Sequence, residues 1–340
     1  MKRDDPERRP LGGTDITVSP VALGCWPIAG VTTLDTNEAD SIATIQACFD
    51  LGINHLDTAY VYGPRGESET LVGRAVAGRR DEMVIATKCG IHYEGSAMEN
   101  DGRPERLRAE CDESLRRLGT DHVELLYFHA PDENVPIEES AGALLALMQE
   151  GKTRSVGASN CTIEQLEAFS GVCPLTAVQM PYNMLQRDIE RRTIPWCRER
   201  NIAVMVYWPL MKGILAGRLP RDHQFHDRDS RRNYPMYHGD EWQKNQDFVE
   251  RLRVAASLRD ADSVVRGSPD PAHTVTVAQL VINWTINQPG ITSALCGAKR
   301  RWQIEELAGA MGWTLSGAQL AMIDAALAKR GAAVAKRVFT

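Results

Sequence analysis

The sequence predicts an α/β fold, a (β/α)8 TIM barrel with an N-terminal β-hairpin, a long loop after strand 7 and a C-terminal helix. Three observations predict it. Short apolar runs rich in β-branched residues alternate with helix-like segments, in number enough for eight βα units. The runs are near-continuous rather than alternating, which is typical of parallel strands buried on both faces. No G-x-G-x-x-G motif is present, so an open dinucleotide-binding sheet lacks its fingerprint.

Each of the eight predicted strands carries one of these apolar runs. The strands are Val21–Gly24, Ile53–Asp57, Met83–Lys88, Val123–His129, Arg154–Ser159, Ala177–Met180, Ala203–Tyr207 and Thr292–Cys296. Before the first of them, Leu11–Pro20 places Gly12-Gly13 between two short extended stretches. This pattern predicts a hairpin across the bottom of the barrel.

The helix-like segments between the strands show apolar residues at helical spacing. They are Asn37–Leu51, Pro104–Leu118, Ile137–Glu150, Thr162–Phe169, Asp188–Arg200, Val275–Asn287 and Arg301–Met311. Pro104 stands at a favourable first-turn position, and Thr162 with Gln165 forms a capping-box pattern. After the seventh strand, residues 208–274 form a long excursion with one further helix predicted at about Asp240–Leu258.

Composition limits the classes of function. We expect one barrel domain over residues 1–340, with 1–10 as a charged flexible tail that lacks the apolar region of a secretory signal. The net charge of −6 argues against nucleic acid, and no apolar run approaches the roughly 18–20 residues that span a bilayer. The eight cysteines form no C-x-x-C pair and none lies near a histidine at zinc spacing. We therefore predict no metal site, no membrane partner, and reduced thiols in a cytoplasmic protein.

Four ionisable residues stand where predicted strands end. Asp57 ends the second strand, Tyr62 follows in its loop, Lys88 ends the third and His129 ends the fourth. Singly, each has a structural explanation, such as a turn, a packing contact or a solvated charge. In a barrel, however, they share the rim on which active sites are built. An ammonium lowers the pKa of a neighbouring phenol, a carboxylate holds the ammonium, and an imidazole can orient a carbonyl, so the set suits protonation of a carbonyl oxygen. Because side chains cannot supply a hydride, reduction needs a cofactor.

At these residues the sequence resembles a known family. Asp57-Thr-Ala-x-x-Tyr62-Gly63, Lys88 and His129-x-Pro131-Asp132 resemble the catalytic tetrad of the aldo-keto reductases. The likeness runs from Leu11 to about Leu327. It includes four further motifs, Gly151-Lys152-x-Arg154-x-x-Gly157-x-Ser159-Asn160, Gln179-x-x-Tyr182-Asn183, Tyr207-x-Pro209-Leu210 and Gly297-Ala-Lys299-Arg300. Each motif is weak alone, but their order and spacing together are specific.

The resemblance implies an oxidoreductase that reduces aldehydes or ketones with NADP(H), or less often NAD(H). Tyr62 would be the general acid, tuned by Lys88 and Asp57, and His129 would orient the substrate. The implied cofactor contacts are Gly24, Trp26, Ser159, Asn160, Gln179, Tyr207, Pro209, Leu210, Lys212, Gly213, Gly297, Lys299, Arg300, Gln303 and Glu306. The implied pocket for a small carbonyl or sugar-like substrate is Trp26, Tyr62, Tyr93, His129 and Trp208.

Several implied contacts have a second interpretation. Ser159 and Asn160 can also begin the helix at Thr162. Lys299 and Arg300 can be a solvated helix start, although a basic pair at a helix N-terminus favours a bound phosphate, here the adenosine 2′-phosphate. The segment Phe225–Tyr237 resembles a loop that folds over the cofactor in some branches of the family, and a disordered charged loop is an equal interpretation.

The sequence also leaves other functions open. One is a cofactor-binding regulatory subunit that resembles the β subunits of potassium channels and turns over slowly. Another is a non-redox barrel lyase or isomerase. The physiological substrate and the oligomeric state cannot be read from the residues.

Overall fold

The computed structural model of the chain describes residues 6–31, 34–258 and 275–334. These ranges contain the strands β1 (Arg9–Pro10), β2 (Thr17–Val18), β3 (Val21–Gly24), β4 (His55–Asp57), β5 (Val84–Cys89), β6 (Ile91–Glu94), β7 (Ala97–Asn100), β8 (Leu125–Phe128), β9 (Val156–Ser159), β10 (Ala177–Pro181), β11 (Ala203–Tyr207) and β12 (Ser293–Gly297).

Eight of these strands form the predicted barrel. Their order around it is β3, β4, β5, β8, β9, β10, β11 and β12. Neighbouring strands are parallel, and the barrel closes where Cys296 of β12 lies beside Leu23 of β3. The prediction of a (β/α)8 barrel is therefore confirmed, and two of its strands, β3 and β11, have the predicted bounds.

Helices surround the barrel. They are α1 (Glu38–Leu51), α2 (Glu67–Val76), α3 (Pro104–Leu118), α4 (Ile137–Gln149), α5 (Ile163–Ser170), α6 (Thr193–Glu199), α7 (Gly239–Ser257), α8 (Val277–Ile286), α9 (Arg301–Ala308) and α10 (Gly317–Arg330). Local sequence sets several ends. The Thr162 and Gln165 side chains form the predicted capping box of α5, and α3 ends at Gly119, which takes the left-handed conformation with φ 67°. None of the helices in the described ranges is both long and apolar enough to cross a membrane.

The helix α2 lies outside the predicted set. Gly73 in its interior lowers helix propensity and obscures the pattern. The structure shows why glycine stands there, since a Cβ at this position would lie 2.4 Å from the Leu118 carbonyl oxygen. The glycine thus lets α2 approach the end of α3 closely.

Two further elements differ from the prediction. The segment Asp188–Arg200 is divided into a single 3-10 turn, Asp188–Glu190, and α6. Pro195 accounts for the division, because a proline is tolerated only in the first turn of a helix and therefore fixes its start near Thr193. Residues 91–100 form an additional exposed hairpin, in which β6 and β7 pair antiparallel.

The N-terminal hairpin is confirmed, but it starts earlier than predicted. Its strands pair with Arg9 opposite Val18, so Arg9 and Pro10 belong to the hairpin rather than to the tail. The Arg9 guanidinium donates to the main-chain oxygens of Ile286 at 2.5 Å and Ile291 at 3.1 Å, which fastens the hairpin to the barrel bottom. The first five residues of the predicted tail lie outside the described ranges.

The predicted excursion after β11 begins with 3-10 turns at Met211–Ala216, Ser230–Asn233 and Pro235–Tyr237, and continues into α7. Its last part, 259–274, lies outside the described residues. The C-terminal helix α10 is confirmed and packs against α7.

Apolar side chains form two layers. The larger lies between the strands and the helices. The smaller fills the lower barrel interior, where Leu11, Ile16 and Val18 of the hairpin region cover the inward-facing residues Leu125 and Met205. Because the lower interior is filled, polar chemistry is left to the upper rim, at the carboxyl ends of the strands.

Candidate active site

The carboxyl ends of three consecutive barrel strands carry the predicted catalytic residues. Asp57 is the last residue of β4, Lys88 is the next to last of β5, and His129 follows β8 directly. Tyr62 lies in the loop between β4 and α2, where its amide donates to the Ala59 carbonyl at 3.0 Å. Since side chains alternate along a strand, Asp57 and Lys88 project into the barrel rather than toward the helices.

Lys88 is the centre of this cluster. Its ammonium donates to Asp57 Oδ1 at 2.6 Å, to the Thr58 main-chain oxygen at 2.7 Å and to the Tyr62 hydroxyl at 3.2 Å. The Lys88 side chain is fully buried and Asp57 is nearly so. The ring of His129 stands edge-on to the ring of Tyr62, with centroids 6.0 Å apart. The fold therefore places an ionisable phenol between an ammonium and an imidazole.

The net pKa of Tyr62 differs from the expectation. Burial raises this pKa above 10.0, and the lowering effect of the Lys88 ammonium offsets only part of the increase. Burial alone would lower the pKa of Lys88, but the charge of Asp57, with a smaller contribution from Tyr62, raises it above its usual value. At neutral pH the cluster thus holds a protonated phenol beside a charged ammonium. Desolvation depends on the closed barrel, so the sequence could not reveal it.

Asp57 is also held from the opposite side of the barrel. Gln179 of β10 donates from Nε2 to Asp57 Oδ2 at 2.8 Å, so both carboxylate oxygens have partners. The main-chain oxygen of Gln179 accepts a hydrogen bond from Ser159 Oγ at 2.9 Å. Two residues predicted to contact the cofactor thereby also brace the Asp57 carboxylate, Gln179 directly and Ser159 through the Gln179 main chain.

Asn160 connects two other predicted residues. Its Nδ2 donates to the His129 main-chain oxygen at 2.9 Å, and its Oδ1 accepts from the Tyr207 hydroxyl at 2.7 Å. Asn160 takes the left-handed conformation, with φ 61°. The helix start at Thr162 uses the side chains of Thr162 and Gln165 for its cap, so Ser159 and Asn160 are not needed there.

Aromatic side chains stand around the phenol. Trp26 packs edge-on against Tyr62, with ring centroids 5.0 Å apart, and Trp208 packs edge-on against Tyr207 at 5.2 Å. Tyr93 lies on β6, where half-burial and the charge of Glu67 raise its pKa. Glu67 in turn packs over Gly63, next to Tyr62. The residues predicted to line a substrate pocket thus follow five different barrel strands, β3, β4, β5, β8 and β11.

The segment after β11 is strained. Trp208, Met211 and Lys212 have φ values of 59°, 46° and 55°, a region that bulky residues rarely adopt. Such conformations cost on the order of 1–3 kcal/mol each and cluster at functional sites. The Lys212 ammonium lies 4.1 Å from the Trp208 ring centroid and 4.5 Å from that of Tyr234. The strain thus coincides with a cation held against two aromatic rings.

Further cations lie beside Lys212. A Cβ at Gly213 would be 3.5 Å from Arg231 Nη1, which shows how closely the loop approaches this turn. Lys299 lies farther along the same rim, where partial burial lowers its pKa and the charges of Arg300 and Arg231 lower it further against the influence of Asp35. Among the described residues no carboxylate lies within ion-pair distance of the Lys299 ammonium, which donates to the Leu34 main-chain oxygen. This basic cluster suits phosphate groups.

The other predicted cofactor contacts lie at or after the carboxyl ends of β3, β11 and β12. Gly24 and Gly297 end the paired strands β3 and β12, and Pro209 and Leu210 follow β11. Arg300 pairs with Asp40 at 2.7 Å. Gln303 Oε1 accepts from the amides of Lys299 and Arg300 at 2.8 and 3.1 Å, and Glu306 pairs with Arg218 at 2.8 Å. Gln303 and Glu306 therefore have structural partners of their own.

Two residues near the site lie outside the predicted set. Glu69 of α2 and Arg117 of α3 form a buried ion pair directly behind the loop that carries Tyr62. A signal for Glu69 exists in the sequence, because it occupies the apolar stripe of α2 with Val72 and Val76. A carboxylate in such a stripe is buried and needs a partner.

Taken together, the rim offers a partly buried phenol at Tyr62, hydroxyl and amide groups at Ser159, Asn160 and Gln179, an aromatic ring at Tyr207, and a basic cluster farther along. This donor set fits a nicotinamide dinucleotide, since amides bind a carboxamide, an aromatic face stacks on a ring and cations bind phosphates.

Comparison with known proteins gives the family. The family model for the aldo/keto reductase family matches residues 20–328. Aldo-keto reductase YhdN of Bacillus subtilis is 34% identical over 308 residues, which cover 90% of this chain and 89% of that protein. Probable aldo-keto reductase 1 of Glycine max is 32% identical over 308 residues, which cover 90% of this chain and 84% of that protein. The structure of the glycerol dehydrogenase AKR11B4 from Gluconobacter oxydans superposes with a TM-score of 0.84 and 33% identity, each chain being covered to 98%. With the model, the relatives and the barrel in agreement, this chain belongs to the aldo-keto reductase family.

Proposed function

We propose that the chain reduces aldehydes or ketones to alcohols with NADPH, and that Tyr62 is the general acid. The carrying observation is the Tyr62 hydroxyl 3.2 Å from the ammonium of Lys88, which Asp57 holds at 2.6 Å. Bound nicotinamide supplies the hydride for this chemistry. A carbonyl oxygen that gains negative charge takes a proton from Tyr62, and the adjacent Lys88 stabilises the phenolate that remains.

His129 and Trp26 orient the substrate in this proposal. Both rings pack edge-on against Tyr62, at 6.0 and 5.0 Å, and so stand beside the proposed acid. The imidazole supplies a polar group for a carbonyl oxygen, and the indole supplies an apolar wall. Tyr93 and Trp208 complete the mouth of the pocket.

The nicotinamide end of the cofactor is assigned to Ser159, Asn160, Gln179 and Tyr207. The two amides and the hydroxyl can bind a carboxamide, and the Tyr207 ring can stack on the nicotinamide. Gly24 and Gly297, at the ends of the paired strands β3 and β12, are assigned to the cofactor as well. Pro209, Leu210, Lys212 and Gly213 are assigned to the pyrophosphate, and Gln303 and Glu306 to the adenine side.

We propose NADPH rather than NADH because of Lys299 and Arg300. Burial and the nearby arginines lower the pKa of Lys299, which means that they disfavour its charged form. A bound anion would stabilise that charged form. The 2′-phosphate is the group that distinguishes the two cofactors. Arg300, which pairs with Asp40, would have to share its charge between the two anions.

For substrates, we propose small polar carbonyl compounds, including sugar-like ones. The structural relative from Gluconobacter oxydans is named a glycerol dehydrogenase, and small polyols with their carbonyl forms therefore belong in a substrate panel. The polar His129 beside the aromatic walls favours compounds that carry hydroxyl groups as well as a carbonyl.

The substitution Tyr62→Phe tests the acid. The variant should bind NADPH with unchanged affinity, measured by fluorescence titration, and lose turnover by a factor on the order of 10²–10⁴. Retained NADPH binding is the internal control for folding. Turnover at the normal rate in the variant would remove Tyr62 from this role.

A further inference from the structure

A buried ion pair lies behind the candidate active site, between the helices α2 and α3. Glu69 of α2 is fully buried, and its Oε2 lies 3.1 Å from Nη1 of Arg117 on α3, whose side chain is 10% exposed. A buried pair of this kind adds little net stability, because the cost of desolvating two charges offsets their attraction. Stability therefore does not explain this ion pair, and its contacts with neighbouring segments indicate its role.

Arg117 contacts the loop that carries Tyr62. Its Nη1 donates to the main-chain oxygen of Tyr60 at 3.1 Å, and its guanidinium carbon lies 4.4 Å from the centroid of the Tyr60 ring. The other end of the loop packs on the same group, since a Cβ at Gly66 would lie 2.4 Å from Arg117 Nε. One guanidinium thus supports the loop on both sides of Tyr62.

Glu69 contacts the strand that carries Lys88. The hydroxyl of Thr87 donates to Glu69 Oε1 at 2.5 Å. Thr87 and Lys88 are adjacent in β5, so their side chains project to opposite faces, with Thr87 toward the helices and Lys88 into the barrel. A main-chain hydrogen bond from the Tyr60 amide to the Lys88 carbonyl, at 3.0 Å, joins the same two segments.

We propose that Arg117 and Glu69 are positioning residues that set the Tyr62 hydroxyl against the Lys88 ammonium. Arg117 fixes the loop of the acid, Glu69 fixes the strand of the ammonium, and the ion pair joins the two. The inference rests on the proposed function only for its catalytic consequence, because the placement of the two groups can be measured without turnover. A displacement of about 1 Å in such a pair can lower a rate about 10²-fold.

The substitution Arg117→Ala tests this, with Arg116→Ala as the matched control. Arg116 is the neighbouring arginine on α3, is 70% exposed and pairs only with Glu113 among the described carboxylates. In Arg117→Ala we expect kcat for carbonyl reduction to fall by a factor on the order of 10, with NADPH affinity unchanged. Affinity should hold because none of the residues assigned to the cofactor lies on α2, α3, β5 or the loop between β4 and α2. Arg117→Lys should restore part of the rate, since an ammonium can reach one of the three partners of Arg117, which are Glu69, the Tyr60 oxygen and Glu113. In the control Arg116→Ala, Glu113 keeps Arg117 as its partner.

The ionisation of Tyr62 gives a second measurement that needs no substrate. The difference in tyrosinate absorbance between a protein and its Tyr62→Phe counterpart isolates this phenol during an alkaline titration. Lys88 lowers the pKa of Tyr62, so moving the two groups apart should raise that pKa in Arg117→Ala and leave it unchanged in Arg116→Ala. If Arg117→Ala does not fold, Glu69→Gln carries the same measurements and should change them in the same direction.

The outcomes separate this inference from the proposed function. A folded Arg117→Ala protein whose kcat and Tyr62 titration match those of Arg116→Ala would overturn the inference alone. A loss of kcat with an unchanged Tyr62 titration, or with an equal loss of NADPH affinity, would also overturn it, because a general structural effect then suffices. A wild-type protein without carbonyl reduction would overturn the proposed function, and the Tyr62 titration would still decide whether Arg117 positions the phenol.

Discussion

At the level of single residues, the proposed chemistry depends on a protonated Tyr62 phenol beside a charged Lys88 ammonium. Four ionisable residues at strand ends could be predicted from the sequence, because a parallel barrel collects those ends on one rim. The direction of the pKa of Tyr62 could not, because it depends on burial that only the closed structure provides. The hydrogen bond from Gln179 to Asp57 could not be predicted from the sequence either, since the two residues stand 122 positions apart.

The pH dependence of the reaction follows from these directions. Reduction needs the protonated phenol, so a raised pKa of Tyr62 keeps kcat constant through neutral pH and lets it fall only in strongly alkaline solution. Alcohol oxidation needs the phenolate and should rise with pH over the same range. Initial rates in both directions across the pH range measure this. A reduction rate that falls between pH 6 and 8 would contradict the assignment.

Replacement of Lys88 tests its influence on the acid. In Lys88→Met the ammonium that lowers the pKa of Tyr62 is absent, so the alkaline decline of reduction should move to still higher pH. The phenolate also loses its counter-charge, and kcat should fall by a factor on the order of 10². Lys329→Met, at an exposed position of α10, is the control. Equal kcat in the two variants would speak against a role for Lys88.

At the level of secondary structure, most barrel elements are predictable, and the exceptions have local causes. The helix α2 is obscured by Gly73, which its contact with α3 requires. The hairpin of β6 and β7 is largely exposed and polar, so it has no hydrophobic pattern to reveal it. The turn after β11 depends on positive φ values at Trp208 and Lys212, which no propensity favours. These exceptions lie beside the candidate site.

Lys299, in the connection from β12 to α9, is the residue that we expect to set the cofactor preference. Lys299→Ala should raise the KM for NADPH by a factor on the order of 10–10², since a hydrogen bond to a charged group contributes about 1.5–3 kcal/mol. The KM for NADH should change little. Arg301→Ala, an exposed neighbour that pairs with Glu305, is the control. If both cofactors lose affinity equally in Lys299→Ala, the residue does not read the 2′-phosphate.

At the level of the whole molecule, closure of the barrel buries ionisable side chains, a residue type that is mostly exposed in folded proteins. The overall charge of −6 coexists with a local basic cluster at Lys212, Arg231 and Lys299. His55 of β4 is fully buried, and burial lowers its pKa from 6.5 to about 4. Glu110 shows the opposite effect, because burial raises its pKa to about 7. Both effects couple stability to pH.

His55 gives a stability prediction whose sign is fixed. Its pKa is lower in the folded than in the unfolded chain, so the unfolded chain binds the proton first as pH falls below 6.5, and stability decreases from there toward pH 4. Glu110 acts oppositely in part of this range, so the wild type alone is not informative. When pH falls from 7 to 5, the difference in free energy of unfolding between His55→Phe and wild type should shift by about 2 kcal/mol in favour of the variant. Denaturant unfolding at both pH values measures it, and a constant difference would contradict the buried neutral imidazole.

The central claim is that this barrel transfers a hydride to a carbonyl while Tyr62 supplies the proton. The most direct measurement is NADPH oxidation with a panel of small aldehydes, ketones and sugar-like carbonyl compounds, run with wild type and Tyr62→Phe and with alcohol product quantified. The account predicts one alcohol formed for each NADPH consumed by wild type, and bound but unreacted NADPH in the variant. Tight NADPH binding by wild type without turnover of any carbonyl compound would contradict it and would favour a cofactor-binding regulatory subunit.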